Sequence, residues 1–436
     1  MHSRDKQIIA LALPALGALA AEPVFLLADT AMVGHLGPEA LAALALAGAL
    51  LQTVLGLMVF LAYATTPRVA RFLGSGDRPG AIGAGIDGMW LAAATSVILV
   101  AAGLPLLDTA LGWFNPTAEV AALAREYLTI SWWGLPFMLI VIAGTGLLRG
   151  LQNTKVPLAI AAGGFAVNIA LNALFIYGLD LGVAGSALGT VCAQGLMCLT
   201  YAWIAVLAAR HYGARLRPDF HGVFHAARMS GWLLLRNASL RAAILVLVAL
   251  AAAQGTVQLA AVQVAQTLFN SLAMVLDSLA IAGQALIGLE LGRRRRAEVH
   301  AVHRRLIGWG VGFGTITGVV MACLSPWLPA LFTSDEHVRP ALTVLILVLA
   351  ASLPLGGYVF TLDGVLMGAE DSRYLALAQL GAFLGFALLC WLGHLAGWGT
   401  WGLWACFCWG FLAFRGIGLG LRMRGDAWIE RAEARG

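Results

Sequence analysis

Residues 8–37 read IIALALPALGALAAEPVFLLADTAMVGHLG. About 20 apolar residues suffice for a helix to cross a bilayer, so this stretch is long enough to span. Yet it carries Glu22 and Asp29, with prolines at 14 and 23. An ionised carboxylate at mid-membrane costs roughly 2.5–3.5 kcal/mol on insertion scales, and such residues mark ion pathways by default. The two acids are seven residues apart, about two helical turns, so they share one face. That face must meet protein or water rather than lipid. Pro23 removes a backbone hydrogen bond between them and supplies a hinge in the first helix. The competing reading is a structural kink with a polar contact to a neighbouring helix.

The rest of the chain agrees with a membrane setting. Of 436 residues, 60% are hydrophobic and 11% charged, and the mean hydropathy is +0.85. This is the composition of a polytopic membrane protein. The opening MHSRDK has no cleavable-signal pattern and leads straight into the first span. The formal charge of +5 comes from arginines and lysines in short connections, which points to the bilayer rather than to nucleic acid. Arg293 to Arg296 suit lipid headgroups. The six cysteines fall mostly in apolar segments without a CxxC pair, and neither a metal nor a cofactor is expected. No histidine is placed mid-span, and no P-loop is present. Without an HExxH or GxGD-like motif, an enzyme is not expected.

Apolar runs place twelve transmembrane helices near 8–34, 41–70, 81–111, 118–148, 156–178, 184–210, 228–253, 257–290, 304–330, 338–367, 372–394 and 400–422. Alternate connections hold nearly all the arginine and lysine, which by the positive-inside rule puts both termini in the cytoplasm. Asp87 and Glu290, near cytoplasmic ends, are expected to be solvated. Tryptophans 132, 133, 398, 401 and 404 suit an interfacial belt.

The halves repeat with an offset of 218. Gly37 maps to Gly255, Leu73-Gly74 to Leu291-Gly292, Phe114 to Phe332, Pro136 to Pro354, Gly150 to Gly368 and Lys155 to Arg373. A six-helix unit therefore occurs twice in the same orientation, giving an all-α fold of two pseudo-symmetric six-helix bundles. An N-lobe of residues 1–215 and a C-lobe of 216–436 are expected, joined by a basic linker near 211–227. Buried polar positions escape the repeat: Asp29 maps to Leu247, Asn168 to Phe386, Asn172 to Cys390, Asp277 to Val59 and Asp363 to Thr145.

The acidic, proline-containing first helix ending in DTAMVGHLG and the segment LLRGLQNTKVPL after the fourth span resemble the MATE family of multidrug and toxic compound extrusion transporters. LDSLAIAGQALIG and FTLDGVLMGAEDSRYLAL resemble its DinF-like branch in particular. The resemblance implies a V-shaped bundle with a central cavity, driven by H+ or Na+. It also matches Asp29 to the protonated aspartate of the first helix, and Asn168 and Asn172 to polar positions of the same N-lobe pocket. The two asparagines lie four apart and share a helix face; their other reading is simple interhelical hydrogen bonding. In the C-lobe, Asp277 and Asp363, with Gln263, Gln266, Asn270 and Gln284, form a candidate polar patch. Alternatively, either aspartate pairs with Arg236, Arg241 or Arg149.

The expected function is a secondary antiporter in the cell membrane, exporting organic cationic or amphipathic compounds in exchange for H+. Asp29 would be the coupling site, assisted by Glu22, in a monomer. Na+ coupling and a lipid-linked precursor flippase are the alternatives; the flippase would need several cationic side chains in its cavity, whereas acids prevail here.

Overall fold

A computed structural model describes residues 3–434 apart from 334, 335 and 337, and all regular structure among them is helical. The first half comprises α1 (Ser3–Gly34), α2 (Pro38–Met58), α3 (Phe60–Gly74), α4 (Arg78–Gly103), α5 (Leu107–Gly112), α6 (Ala118–Trp132), α7 (Leu135–Gly150), α8 (Lys155–Ala173) and α9 (Gly182–Tyr212). The second comprises α10 (Phe220–Gln254), α11 (Thr256–Gly292), α12 (Arg296–Leu324), α13 (Leu328–Phe332), α14 (Val338–Gly368), α15 (Ser372–Leu395), α16 (Thr400–Ala405), α17 (Leu412–Met423) and α18 (Ala427–Glu433). Adjacent helices merge into longer spans, such as α2 with α3. Eleven spans are long and apolar enough to cross a membrane, and α6 with α7, bent by 50°, makes a twelfth. The twelve helices fall where the apolar runs put them; the seventh and the ninth each begin eight residues early, at Phe220 rather than 228 and at Arg296 rather than 304.

The repeat extends to the backbone. Gly37 and Gly255, which open the second and eighth spans, have φ of 128° and 127°. Gln152 and Glu370, in equivalent tight turns, have φ of 63° and 57°, a left-handed conformation that is uncommon outside glycine. The same chain path is thus imposed twice on different residues.

The fourth and tenth spans diverge although Pro136 and Pro354 are equivalent. The fourth breaks at Trp133-Gly134, whereas α14 continues through Pro354. A stripe on α12 accounts for this. A Cβ added to Gly310, Gly314 or Gly318 would lie 2.5, 2.2 or 2.5 Å from the carbonyl oxygens of Gly357, Leu353 or Ala350 on α14. Backbone rests on backbone over two turns and clamps α14 straight. The equivalent residues on α4 are Ala92, Ser96 and Val100, whose side chains forbid so close an approach.

Two compact units emerge. Leu13–Ser230 form one, and Gly231–Gly436 with the first turns of α1, up to Ala12, form the other. The division thus lies within α10 rather than at 215/216. In the second unit, buried Asp5 accepts from Arg305 Nε at 2.6 Å and from Trp309 Nε1 at 2.9 Å. In the first, Asp87, the repeat counterpart of Arg305, accepts the backbone N–H of Asp219 at 3.0 Å, while Arg68 donates to the Gly222 carbonyl at 2.8 Å. Asp87 is therefore not solvated but 1% exposed, because the linker folds over it. Glu290 is likewise buried, held by Arg293 at 2.6 Å.

Two expected belt tryptophans are also core residues. Trp404 is fully buried, stacks on Phe407 with ring centroids 5.7 Å apart, and donates to the Leu345 carbonyl at 2.9 Å. Trp132 is buried and donates to the Leu99 carbonyl at 3.0 Å. In each case the indole N–H has found an internal acceptor, which an interfacial residue would leave to water.

Candidate functional site

Asp29 lies on the seventh turn or so of α1, at 4% exposure. Its Oδ1 accepts two hydrogen bonds, from Asn172 Nδ2 on α8 at 2.8 Å and from Ser186 Oγ on α9 at 2.6 Å. Asn168, one turn before Asn172, donates to Thr190 Oγ1 at 3.0 Å. Four apart on one helix, the asparagines thus reach different partners, Asn172 the carboxylate on α1 and Asn168 a hydroxyl on α9. Tyr127 of α6, also buried, brings its hydroxyl against those of Ser131, Ser186 and Thr190. The result is one carboxylate in a nest of neutral amides and hydroxyls.

Two features of the nest bear on chemistry. The Oδ1 atoms of Asn168 and Asn172 are buried without a hydrogen-bond partner, which ordinarily costs about 1–3 kcal/mol each. The space for Asn172 exists because residue 189 is glycine; a Cβ there would sit 2.0 Å from its Oδ1.

The nest opens on a cavity of about 290 Å³ walled by Phe25, Leu44 and Leu55, with Asp29, Thr30, Gln52, Tyr127, Thr190 and Gln194 as its polar lining. Glu22 is half-buried two turns from Asp29, and its Oε1 accepts from Gln52 Nε2 at 3.3 Å. Glu22 and Asp29 therefore border the cavity or touch a residue that does. Pro23 is exposed, and α1 runs through it without interruption. Phe25, two residues on, stacks on Phe165 of α8 at 5.0 Å.

The second unit is built differently. Asp363 Oδ2 accepts from Arg415 at 2.7 Å and from Arg236, and all three residues are buried. Arg236 also donates to Asn237 Oδ1 at 2.9 Å, and Arg415 lies between the Phe360 and Phe411 rings, 5.7 Å from each centroid. Asp277 on α11 is half-buried and within electrostatic reach of Arg415. Of the amides grouped with these acids, Gln266 and Gln284 are buried, while Gln263 and Asn270 are exposed. The structure joins Asp363 to two arginines, with Asp277 nearby, and leaves Gln263 and Asn270 outside that cluster.

Sequence reading missed Tyr127, Ser186, Thr190 and Arg415. Three small or hydroxyl residues at 186, 189 and 190, on one helical face, were the available signal for α9. For Arg415 it was a lone arginine in the apolar run FLAFRGIGLG.

The comparisons fit this arrangement. The MatE family model matches residues 14–174 and 233–392, well over half of the chain and once in each half. The chain belongs to the MATE family. This MATE transporter is 28% identical to DNA damage-inducible protein F of Escherichia coli (strain K12), covering 96% of this chain and 92% of that protein. It is 30% identical to the multidrug resistance protein MdtK of Edwardsiella ictaluri, covering 98% and 96%. In fold it matches a crystal structure of MATE in the bent conformation with a TM-score of 0.91 at 21% identity, covering 99% of this chain and 97% of that one. A Vibrio cholerae MATE transporter matches with a TM-score of 0.88 at 20% identity, covering 98% and 99%. The MATE chain is thus a multi-pass membrane transporter, not an enzyme.

Proposed function

We propose that this MATE transporter exports organic cationic or amphipathic compounds in exchange for H+, with Asp29 as the coupling carboxyl. The observation that carries this reading is the nest itself. The described residues of the site supply one carboxylate, satisfied on one oxygen by two neutral donors, beside buried amide oxygens without partners. Protonation turns Asp29 from acceptor into donor. A rotation of the Asn172 amide then offers Oδ1 to the new O–H, so one proton exchanges one hydrogen-bond arrangement for another. Those contacts fix α1 against α8 and α9, so the proton changes what holds the wall of the 290 Å³ cavity. Pro23, like Pro14, leaves α1 a backbone hydrogen bond short, which lowers its resistance to bending beside Glu22. Glu22, tied to Gln52, is the relay toward the other side.

The second unit supports H+ rather than Na+. Asp363 already pairs with two guanidiniums, and a hard cation would have to displace them to gain its oxygen. The partnerless oxygens of Asn168 and Asn172 favour the runner-up, an Na+-coupled exporter ligated in the first unit. A lipid-linked precursor flippase fits less well, since the cavity presents an acid and amides where phosphate needs cations. In this reading the transporter works as a monomer in the cell membrane, and the arginine distribution favours cytoplasmic termini. Purified protein in liposomes, given a pH gradient or a Na+ gradient separately, tests the reading. Export driven by Na+ alone would reverse it.

A further inference from the structure

The second unit holds a larger cavity, of about 520 Å³, far along the chain from Asp29 and lined only by α12, α14, α17 and the residue after it, Arg424. Its walls are apolar: Ile307, Leu355, Leu362 and Ile417. Its polar groups are three: His303, Tyr358 and Arg424. They lie toward the ends of α12 and α17 that carry Arg296, Arg304 and Arg422. The cavity is thus apolar along its length and basic at the end where the spans meet the arginine-rich surface.

The polar groups are unspent. His303 Nε2 is buried without a hydrogen-bond partner. Arg424 is exposed and pairs with no acid among the described residues, while Asp426 faces His300 at 3.1 Å, Asp371 holds Arg422 at 2.7 Å and Glu433 holds Arg296 at 2.5 Å. The Tyr358 hydroxyl rests on Gly420, where a Cβ would lie 2.8 Å from it. The Tyr358 O–H and the Arg424 N–H groups are therefore donors without an acceptor, and His303 Nε2 becomes a third in its Nε2–H tautomer, the donor set a phosphate diester takes up. Beside them the apolar slot continues outward, with Ile417 and Leu421 of α17 62% and 53% exposed.

We infer that this cavity is a binding site for an anionic glycerophospholipid of the leaflet on the arginine-rich side. The phosphate meets Arg424, Tyr358 and His303, and an acyl chain lies along α17 against Ile417 and Leu421. Basic pockets between spans at this depth take up such headgroups, and here the charge and the apolar slot point to the same occupant. The glycines at 416 and 420 keep the slot open on the α17 side. A bound lipid would brace α17, which carries Arg415, against α12 and α14.

Native mass spectrometry of the full-length protein, delipidated and then titrated with phosphatidylglycerol or phosphatidylcholine, reads the site directly. One tightly retained phosphatidylglycerol is expected, and none for phosphatidylcholine. Arg424→Gln removes an exposed side chain without touching the core. It should weaken retention by about tenfold or more, in line with roughly 1.4 kcal/mol per decade. Gly420→Val should abolish retention by filling the polar end, and Tyr358→Phe should weaken it severalfold. Arg294→Gln, an exposed arginine outside the cavity, should leave it unchanged. Equal retention of the two lipids would overturn the inference, as would undiminished retention by Arg424→Gln. Displacement by glycerol phosphate, which lacks acyl chains, would overturn it too, by showing an anion site that does not read a lipid.

Discussion

Replacing Asp363 by asparagine leaves two guanidiniums, of Arg236 and Arg415, facing each other in the buried interior of α10, α14 and α17 with their shared carboxylate gone. Breaking a buried ion pair by removing one partner costs about 3–5 kcal/mol. The amide oxygen of asparagine still accepts one hydrogen bond, which argues for the lower end. The Phe360 and Phe411 faces retain part of Arg415's stabilisation. A loss of about 3 kcal/mol is expected, a large share of the roughly 5–15 kcal/mol typical of a folded protein. Arg415→Met should cost less, since Asp363 keeps Arg236. The double variant should recover part of the sum, giving a coupling of about 1.5–3 kcal/mol. Unfolding of the purified protein by SDS in mixed micelles, followed by tryptophan fluorescence, measures each corner of the cycle. Additivity within about 0.5 kcal/mol would show that the two residues do not share the contact described, and the reasoning would fail.

Other outcomes follow from particular contacts. Gly189→Ala places a methyl 2.0 Å from Asn172 Oδ1 and should sharply lower gradient-driven export at normal membrane insertion; unchanged transport would remove Asn172 from the coupling site. Gly314→Leu should destabilise the protein by several kcal/mol through its contact with the Leu353 carbonyl, whereas Ser96→Leu at the equivalent place on α4 should cost much less; thermal denaturation of both variants decides. Arg296 holds the Glu433 carboxyl below the usual carboxylate range by hydrogen bond and charge. The lowered group stabilises the docked α18 above its unfolded value near 4.3, and that contribution disappears as pH falls through the folded value. Limited proteolysis between α17 and α18 should therefore accelerate below about pH 4, and a flat profile would count against the pairing. A cysteine placed in the 211–227 linker should resist membrane-impermeant reagents added from outside; labelling there would invert the proposed orientation.

Most of the architecture was open to sequence reading because apolar length, loop charge and the 218-residue repeat are properties of local composition. Asp29, Asn168 and Asn172 could be found because a polar side chain in an apolar span has no bland background to hide in. Their partners were harder. Serine, threonine and tyrosine are ordinary in spans, so Ser186, Thr190 and Tyr127 acquire meaning only when α9 and α6 are brought against α1. The fate of Asp363 turned on distance in space: Arg236 was a nameable partner, but Arg415 lies 52 residues away and outside any motif. Asp87 was misjudged because nothing in the local text says that a linker 132 residues later folds across it. The straightness of α14 depended on glycines in another helix, and the proline inside it pointed the other way.

The central claim is that Asp29 carries the proton. On one preparation of purified Asp29→Asn protein, export under an imposed pH gradient and equilibrium binding of the same organic cation are to be measured together, beside the unaltered protein. The account predicts binding that persists, within a few-fold, and gradient-driven export reduced to the level of liposomes without protein. Export at the unaltered rate by Asp29→Asn would contradict it.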